Sequence, residues 1–410
     1  MPTNDFSLLD GALVIIAVAA SWLMFRPKIR DAAFWRATVT PLASIIGSGF
    51  LVVVPLLAST VGNLSVFAIA GIVLVSFWMG AALRFNILYD GRRPTSQAGT
   101  ITHSIERFSD LALAFAYVIS ITFYVRLMAG FVLTGVDVYT PFNANILATA
   151  VLMFIGIYGL LHGLKGLESL ETYSVTVKLA IIAALLAGLV YFDFSTGYNF
   201  SSVPSPSLGI WDSIRQLAGM LLIVQGFETS KYLDTQYPPQ LRVRSMLLAQ
   251  WLAGFIYIAF VALAMPLFTV NEGTVPNETE IIHLSARVAM VLPVLLVIAA
   301  AMSQFSAAIA DTIGASGVIE HETAGRFPAK YCYPFLSALA IVLMWSSHIF
   351  EIVTLASRAF AFYYMFQAAL AAWLAFNRID DPHRSYRVAS FGALACLLLL
   401  IVMWASPVAT

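Results

Sequence analysis

The chain has 410 residues, of which 60% are hydrophobic and only 11% are charged, and its mean hydropathy is +0.86. Soluble domains carry about 25% charged residues. The composition therefore excludes a soluble globular protein and predicts a polytopic, all-α membrane protein. Lys and Arg together number 22, as do Asp and Glu, so the net charge of zero indicates no class of partner.

The first apolar run and the two cysteines have simple interpretations. Residues 8–25 follow an acidic start and precede basic residues, the reverse of a signal peptide, so we expect a retained helix. Cys332 and Cys396 lack metal-ligand spacing and are too few for a disulfide framework. We expect two buried apolar thiols, no metal site and no cofactor.

Twelve segments are long and apolar enough to cross a bilayer, which takes about 20 residues. They lie near residues 8–25, 37–61, 64–88, 100–134, 143–162, 167–192, 212–233, 244–269, 279–318, 331–348, 352–377 and 388–407. The fourth and ninth exceed the thickness of a bilayer, so we expect them to tilt or to extend into water.

The basic residues of the loops predict the orientation, because cytoplasmic loops carry an excess of Lys and Arg. Every loop after an odd-numbered span is basic, and the alternate loops have no Lys or Arg. We therefore expect an integral plasma (inner) membrane protein with cytoplasmic basic loops and both termini outside. The basic residues are Arg26, Lys28, Arg30 and Arg36; Arg92 and Arg93; Lys165; Arg242 and Arg244; Arg326 and Lys330; and Arg378, Arg384 and Arg387.

Two spans are interrupted at matching positions. The second contains IIGSGF at 45–50, and the seventh, five spans later, contains VQGFETS at 224–230. Paired interruptions of this kind indicate a transporter site between two inverted repeats. We predict five-helix repeats at 37–192 and 212–377. An extra N-terminal helix with a basic linker (1–36) and a C-terminal helix (378–410) would flank them.

The interruptions predict a binding site because a broken helix frees backbone groups. Freed N–H groups attract an anionic group, and freed carbonyls attract an ammonium or another cation. An amino acid carries both charges. The competing interpretation is a packing seam of small residues between helices. The predicted substrate-binding residues are Ile46, Gly47, Ser48, Gly49, Gln225, Gly226, Phe227 and Glu228.

The interrupted segments resemble the amino acid–polyamine–organocation (APC) transporter superfamily, which has the leucine-transporter fold. TPLASIIGSGFLVVVP is similar to that family's first core helix, and QGFETSKY to its sixth. GLKGLESLETYSVTVKLAII at 163–182 is similar to its fifth, and GRFP at 325–328 to the end of its eighth. The DPGN-like break of metal-ion relatives is missing, which disfavours a divalent metal as substrate.

Ionisable residues at depth are costly, so each is a functional candidate. The resemblance implies that Glu228 braces the unwound segment or takes part in gating. It also implies that Lys178 is a proton-linked or cation-mimicking group, because some relatives place a lysine where sodium-coupled relatives bind sodium. Snorkelling of Lys178 to the surface is the alternative. We expect Arg126 to pair with Glu228 or Asp311, or else to meet a substrate carboxylate.

Further polar and aromatic residues are candidates for the pocket or the substrate path. Ser303, Ser306 and Ala310 recur at helical spacing, which predicts a small, polar helix face before Asp311. A close-packed seam is the competing interpretation there, and apolar packing competes with gating for the aromatic residues. The candidates are Tyr124, Arg126, Ser303, Gln304, Asp311, Phe360 and Tyr363.

These features predict a secondary transporter of a small organic solute, an amino acid or related amine, that works by alternating access. Proton coupling and exchange both stay open, and a non-transporting sensor or partner subunit of the same fold is the alternative. The expected partners are a small-molecule substrate, protons and the lipid bilayer. No Walker A motif, catalytic constellation or nucleic-acid signature is visible, so we expect neither an ATP-driven pump nor an enzyme nor a nucleic-acid partner.

Overall fold

The structure is a computed structural model that describes residues 7–47, 49–89, 100–198, 209–234, 236–267, 280–346 and 349–405. These residues form fourteen α-helices together with several 3-10 segments. The helices are α1 (Leu8–Met24), α2 (Pro27–Arg30), α3 (Ala33–Ile45), α4 (Gly49–Val61), α5 (Ser65–Tyr89), α6 (Thr100–Gly135), α7 (Pro141–Thr196), α8 (Ile210–Gly219), α9 (Pro239–Ala264), α10 (Glu280–Ser285), α11 (Leu292–Glu322), α12 (Ala329–Ser346), α13 (Ile349–Phe376) and α14 (Arg384–Trp404). The predicted all-α fold is confirmed. Cys332 is buried as expected, but the expected burial of Cys396 is wrong, because its side chain lies on the exposed face of α14.

Eight helical stretches of the described residues are long and apolar enough to cross a membrane. Two of them, Ala33–Tyr89 and Pro141–Thr196, have 57 and 56 residues and each contain two of the predicted spans. The second changes direction at Gly163, where φ is +62°, and Gly166 packs against Tyr158 and His162. These eight stretches overlap ten of the twelve predicted spans; of the other two, the first is the shorter helix α1 and the seventh is α8 followed by 3-10 segments. The inverted repeat stays a prediction.

The ninth predicted span is wrong as a single long helix. The described part of this region is divided into α10 and α11, which are separated by a turn at residues 286–291. Pro293 lies in the first turn of α11, where a proline is tolerated because the N–H it lacks has no intrahelical partner there. In addition, the Asp10 carboxylate of α1 accepts a hydrogen bond from Val291 N at 3.0 Å.

Both glycine-marked spans are interrupted. α3 ends at Ile45 and α4 begins at Gly49, with Ile46 and Gly47 outside either helix. Ser48 lies outside the described residues. In the second interruption, a 3-10 segment at Met220–Val224 follows α8, and a second one begins at Phe227 after the non-helical pair Gln225 and Gly226.

Helix packing brings the two interruptions together in the centre of the bundle. α3 packs against α7, α9 and α11, and α6 packs against α11 and α13. At one end of the bundle Arg36 pairs with Glu168, Lys231 pairs with Glu106, and the Arg378 guanidinium lies over the Tyr89 ring. This end carries the basic turns of the described chain, and we call it the basic end.

Candidate substrate and ion site at the paired helix breaks

Gly226 lies directly against the end of α3, so the two helix breaks are in contact. Its φ is +120°, a conformation that L side chains rarely adopt. A β-carbon at this position would meet Ser44 Oγ and would lie 2.7 Å from Ile45 N. Glycine is therefore required twice at position 226, once by the backbone angle and once by the close approach.

A tyrosine hydroxyl connects the carbonyls of the two breaks. Tyr257 of α9 is fully buried, and its hydroxyl oxygen lies 2.9 Å from both Ile45 O and Ile223 O. The single proton of the hydroxyl can be donated to either carbonyl. Because each carbonyl lies near the end of a helical segment, this bond satisfies a backbone group that the interruption exposes.

Lys178 places a cation at the first break. Its side chain is completely buried, and Nζ donates to Ala43 O at 2.9 Å, to Ile46 O at 2.7 Å and to Ser306 Oγ at 3.0 Å. An ammonium has three donors, and all three are used. The alternative that Lys178 snorkels to the surface is wrong. The contacts are those of a cation held by helix-end carbonyls.

The serine face of α11 supplies a further donor to the same carbonyls. Ser303 Oγ donates to Ile46 O and lies 3.1 Å from Gly47 O. The carbonyl side of the break is thus occupied by donors from the protein itself. On the other side, no described side chain accepts a hydrogen bond from the N–H groups of Gly47, Gly49 or Phe50. That side has the chemistry to receive an anionic group.

Glu228 braces the second break. Its carboxylate accepts a hydrogen bond from Gly226 N at 2.8 Å, from the hydroxyl of Tyr364, and from the hydroxyl of Tyr117 at 3.4 Å. These contacts match the predicted role of Glu228 as a brace for the unwound segment. They also connect the break to α6 through Tyr117 and to α13 through Tyr364.

Asp311 joins three helices around the first break. Its carboxylate accepts hydrogen bonds from Ser44 at the end of α3, at 2.8 Å, and from Ser120 of α6. Asp311 itself belongs to α11 and is completely buried. Two hydroxyl donors therefore hold a carboxylate at a depth where an unpartnered charge would be costly.

The expected pairing of Arg126 with Glu228 or Asp311 is wrong in this conformation. The Arg126 guanidinium donates to Pro141 O at 3.4 Å, at the start of α7. Both carboxylates bind hydroxyl groups instead. The physical reason is the length of the arginine side chain, which lets the guanidinium of the half-buried Arg126 reach Pro141 at the start of α7.

The remaining candidates line the same region with weaker polar contacts. Gln225 Nε2 lies 3.5 Å from the Tyr124 hydroxyl, and the Phe227 ring stacks on Tyr364 at 5.2 Å between centroids. Gln304 is buried, and its Oε1 accepts no hydrogen bond from the residues that the structure describes. Phe360 packs edge-on against Tyr117, and the Tyr363 hydroxyl lies 3.4 Å from that of Tyr232.

Several residues of this site carry no recognisable signal in the sequence. Tyr117, Tyr257 and Ser120 lie in continuous apolar helices, where nothing in the local pattern marks them. Tyr364 and Ser44 belong to segments that the sequence singles out, but nothing local assigns a partner to either. The only feature that marks these residues in the sequence is a hydroxyl group within a predicted span, because a buried hydroxyl needs a hydrogen-bond partner.

A separate network of charged residues lies at the basic end. Lys231 Nζ lies 3.0 Å from Glu106 and 3.6 Å from Asp110, and the Tyr232 hydroxyl donates to Asp110 at 2.7 Å. His321 and Glu322 bring metal-ligand atoms close to Asp110. The ammonium of Lys231 occupies that neighbourhood, so the arrangement is one of ion pairs between the second break and α6.

This site, with two discontinuous helices meeting in an apolar bundle, defines a membrane transporter. The family model described as "APC superfamily transporter" matches residues 27–405, and the chain belongs to that family. The family resemblance of the glycine-marked segments is therefore confirmed. A protein of Aquifex aeolicus (strain VF5), named only as uncharacterized, is 42% identical over 99% of each chain.

Two kinds of solved transporter have a similar fold. A mutant form of the manganese transporter of Eremococcus coleocola aligns with a TM-score of 0.55 and 14% identity, over 90% of this chain and 87% of the other. Mhp1, a nucleobase-cation-symport-1 family transporter, aligns with a TM-score of 0.52 and 12% identity, over 91% and 90%. At these identities the likeness shows the fold alone.

Proposed function

We propose that this transporter moves a small organic solute bearing a carboxylate and an amine, an amino acid or a close relative, by alternating access. The solute binds at the paired breaks, with its carboxylate at the N–H groups that begin α4. Lys178 couples transport to protons by acting as the cation of the first break. The basic end faces the cytoplasm, as the excess of Lys and Arg in its loops indicates.

The observation that carries this proposal is the contact of Lys178 with the carbonyl oxygens of Ala43 and Ile46. Helix-end carbonyls of this kind are able to hold a small cation, and here an ammonium from α7 holds the same position. A lysine takes up and releases a proton where a bound metal ion would associate and dissociate. Protons are therefore the coupling ion that this arrangement favours over sodium.

A divalent metal substrate has less support. Manganese belongs to the name of the Eremococcus coleocola transporter, and this chain shares only the fold with that protein. In this chain, Lys178, Ser303 and Tyr257 donate to the carbonyls of the breaks. Donors at these positions compete with a metal ion for the same oxygens.

The proposal is tested first by thermal-shift measurements on the purified protein with amino acids, amines and small carboxylates. A ligand that stabilises the protein is then followed as radiolabelled solute into proteoliposomes under an imposed pH gradient. We expect uptake driven by the gradient in the wild type. Lys178→Ala is expected to abolish the dependence on the gradient, and Lys330→Ala, which changes an exposed lysine, to preserve it.

Two results would contradict separate parts of the proposal. If no amino acid, amine or carboxylate stabilises the protein or enters the vesicles, the assigned class of substrate is wrong. If gradient-driven uptake in Lys178→Ala keeps its wild-type pH profile, the coupling role of Lys178 is wrong while the transport function stands.

A further inference from the structure

Three contacts between α3 and α7 form a ladder that leads from the basic end to the first helix break. Arg36 pairs with Glu168 at 2.8 Å, Thr40 Oγ1 donates to Glu171 at 2.9 Å, and Ala43 O accepts from Lys178 at 2.9 Å. Positions 36, 40 and 43 lie three or four residues apart and share one face of α3. The positions 168, 171 and 178 share one face of α7. We call these contacts the α3–α7 ladder.

The middle contact of the ladder contains a carboxyl group that the proposed site does not use. Glu171 is only 1% exposed. One of its oxygens accepts from Thr40, but Oε1 accepts no hydrogen bond from any residue that the structure describes. A buried carboxylate with an unpartnered oxygen is costly, whereas the neutral acid carries no charge. The geometry is that of a group that can take up a proton.

The outer contact connects this group to water. The side chain of Arg36 is 43% exposed and that of Glu168 is 10% exposed. Both line a surface cleft together with Arg30, Asp31, Lys165 and Tyr173. The hydrogen bond from Arg30 holds the pKa of the exposed Asp31 carboxyl below its ordinary value, so Asp31 stays ionised in the cleft at neutral pH. Glu168 thus lines the cleft, and Glu171 follows it by about one helical turn on α7.

The inner contact connects Glu171 to Lys178. The two residues are seven positions apart on α7, which corresponds to about 10 Å along a helix axis. Side chains on a helix point toward its N-terminus, so the lysine extends back toward Glu171. No hydrogen bond joins these two described groups, so a proton transfer between them requires intervening water, while Thr40 holds the carboxyl group.

We propose that Glu171 is a proton-binding site that relays protons between Lys178 and the cleft at the basic end. In the relay, the ammonium of Lys178 releases a proton through a water molecule to a carboxylate oxygen of Glu171. The products are a neutral amine and a neutral acid, and the reverse step restores both charges. The neutral acid of Glu171 then gives its proton to water that enters from the cleft beside Glu168, and Glu171 returns to the carboxylate. This relay rests on the proposed proton coupling and supplies the route that Lys178 needs, because Lys178 itself is completely buried.

The charged and titratable groups that face Glu171 come from four parts of the chain. They are Arg36 on α3, Glu168 and Lys178 on α7, Asp311 on α11, and Tyr237 before α9. Burial raises the pKa of the Tyr237 hydroxyl, with Glu168 adding to the effect, so this phenol stays neutral through the physiological range. Asp311 is held by Ser44 and Ser120.

The first test follows the carboxyl groups directly. The full-length protein in lipid is titrated with acid while the infrared C=O stretch of protonated carboxyl groups is recorded. We expect one titrating band to be absent from Glu171→Gln and present in Glu320→Gln, a half-buried glutamate at the same end but outside the ladder. A spectrum of Glu171→Gln identical to that of the wild type at every pH would overturn the proposal.

The second test asks whether Glu171 and Lys178 titrate as a unit. Tm is measured against pH for the wild type, Glu171→Gln, Lys178→Gln and the double variant. We expect each single variant to remove a pH-dependent part of the Tm curve and the double variant to remove no more than the larger of the two. Fully additive curves would mean that the residues are independent, which contradicts a relay.

The third test separates this inference from the proposed function. In proteoliposomes with an identified solute, Glu171→Gln is expected to slow gradient-driven uptake by roughly tenfold or more while leaving solute exchange without a gradient near the wild-type rate. Unchanged gradient-driven uptake in Glu171→Gln, with Lys178→Ala inactive, would overturn the relay and leave the proposed function standing. If the wild type moves no solute, the proposed function fails, and the infrared and Tm measurements still decide whether Glu171 binds a proton coupled to Lys178.

Discussion

The ammonium of Lys178 lies 2.7 Å from the carbonyl oxygen of Ile46, the first residue after α3 ends. This contact links the interrupted end of α3 directly to the charged side chain of Lys178 on α7. A helix that loses carbonyl partners in a membrane needs donors from elsewhere in the protein. Here a lysine provides them, so any change in its charge acts directly on the interrupted segment.

Lys178→Met is expected to destabilise the protein as well as change its transport. The substitution keeps an unbranched side chain but removes the ammonium donor from the Ala43 carbonyl, while the Ile46 carbonyl keeps only the Ser303 hydroxyl. Each buried acceptor left unsatisfied costs about 1–3 kcal/mol. We expect a lower Tm in a detergent or nanodisc melting experiment.

Lys330→Met is the matched control for this experiment, because Lys330 is exposed at the start of α12. Its Tm should stay at the wild-type value. Equal melting temperatures for Lys178→Met and the wild type would show that Ser303 and other neighbours satisfy the freed carbonyls without the lysine.

Tyr257→Phe tests the hydroxyl that joins the two breaks. The substitution removes only the oxygen that lies 2.9 Å from Ile45 O and Ile223 O. We expect a loss of about 1–3 kcal/mol in the free energy of unfolding, because the one proton that the hydroxyl donates to either carbonyl is lost. The measurement is the unfolding transition in detergent. Tyr386→Phe, at a side chain that is 75% exposed, should leave it unchanged.

The positions of the breaks could be predicted from the sequence, but their partners could not. Gly47, Gly49 and Gly226 stand out because glycine weakens a helix and two weak points recur five spans apart. Tyr257 is 212 residues from Ile45, and no short-range pattern connects the two. Contacts of this kind depend on how helices cross, and hydropathy does not specify that.

Arg126 and the ninth span show two further limits of the sequence. The sequence predicts how deep a residue lies along a helix, but it does not predict where a long side chain points. For this reason the sequence predicts Arg126 in the core, whereas its guanidinium reaches Pro141 O. The apolar run at 279–318 has the composition of one helix throughout. A hydropathy average gives Pro293 no special meaning, whereas in the structure this proline marks the first turn of a new helix, α11.

Lys231→Met is expected to open the basic end. The ammonium links the second break to Glu106 and Asp110 of α6, so its removal takes away ionic contacts that hold the two segments together in this conformation. A maleimide reagent added to the protein in nanodiscs reports the opening at Ser109→Cys, since Ser109 is buried beside Asp110. We expect faster labelling in the Lys231→Met background than in the wild-type background.

The control for this comparison is Lys330→Met in the same Ser109→Cys protein, which should label at the slow rate. Equal rates in all three proteins would mean that the ion pairs of Lys231 do not hold the basic end closed. The 2.7 Å hydrogen bond from the Tyr232 hydroxyl to Asp110 would then be the contact that holds the second break to α6.

Gly226→Ala is expected to disrupt the site where the two breaks meet. The new methyl group would meet Ser44 Oγ and lie 2.7 Å from Ile45 N, and the backbone would be held at φ +120°. A strained backbone of this kind alone costs on the order of 1–3 kcal/mol, and the steric overlap adds to it. We therefore expect a lower Tm and loss of ligand-induced stabilisation, both measured by thermal shift. Gly71→Ala in α5, where a β-carbon would meet no atom within 4 Å, should be neutral or stabilising by up to about 1 kcal/mol. A Gly226→Ala protein that melts like Gly71→Ala and still responds to ligand would show that the two breaks can separate without loss of the site.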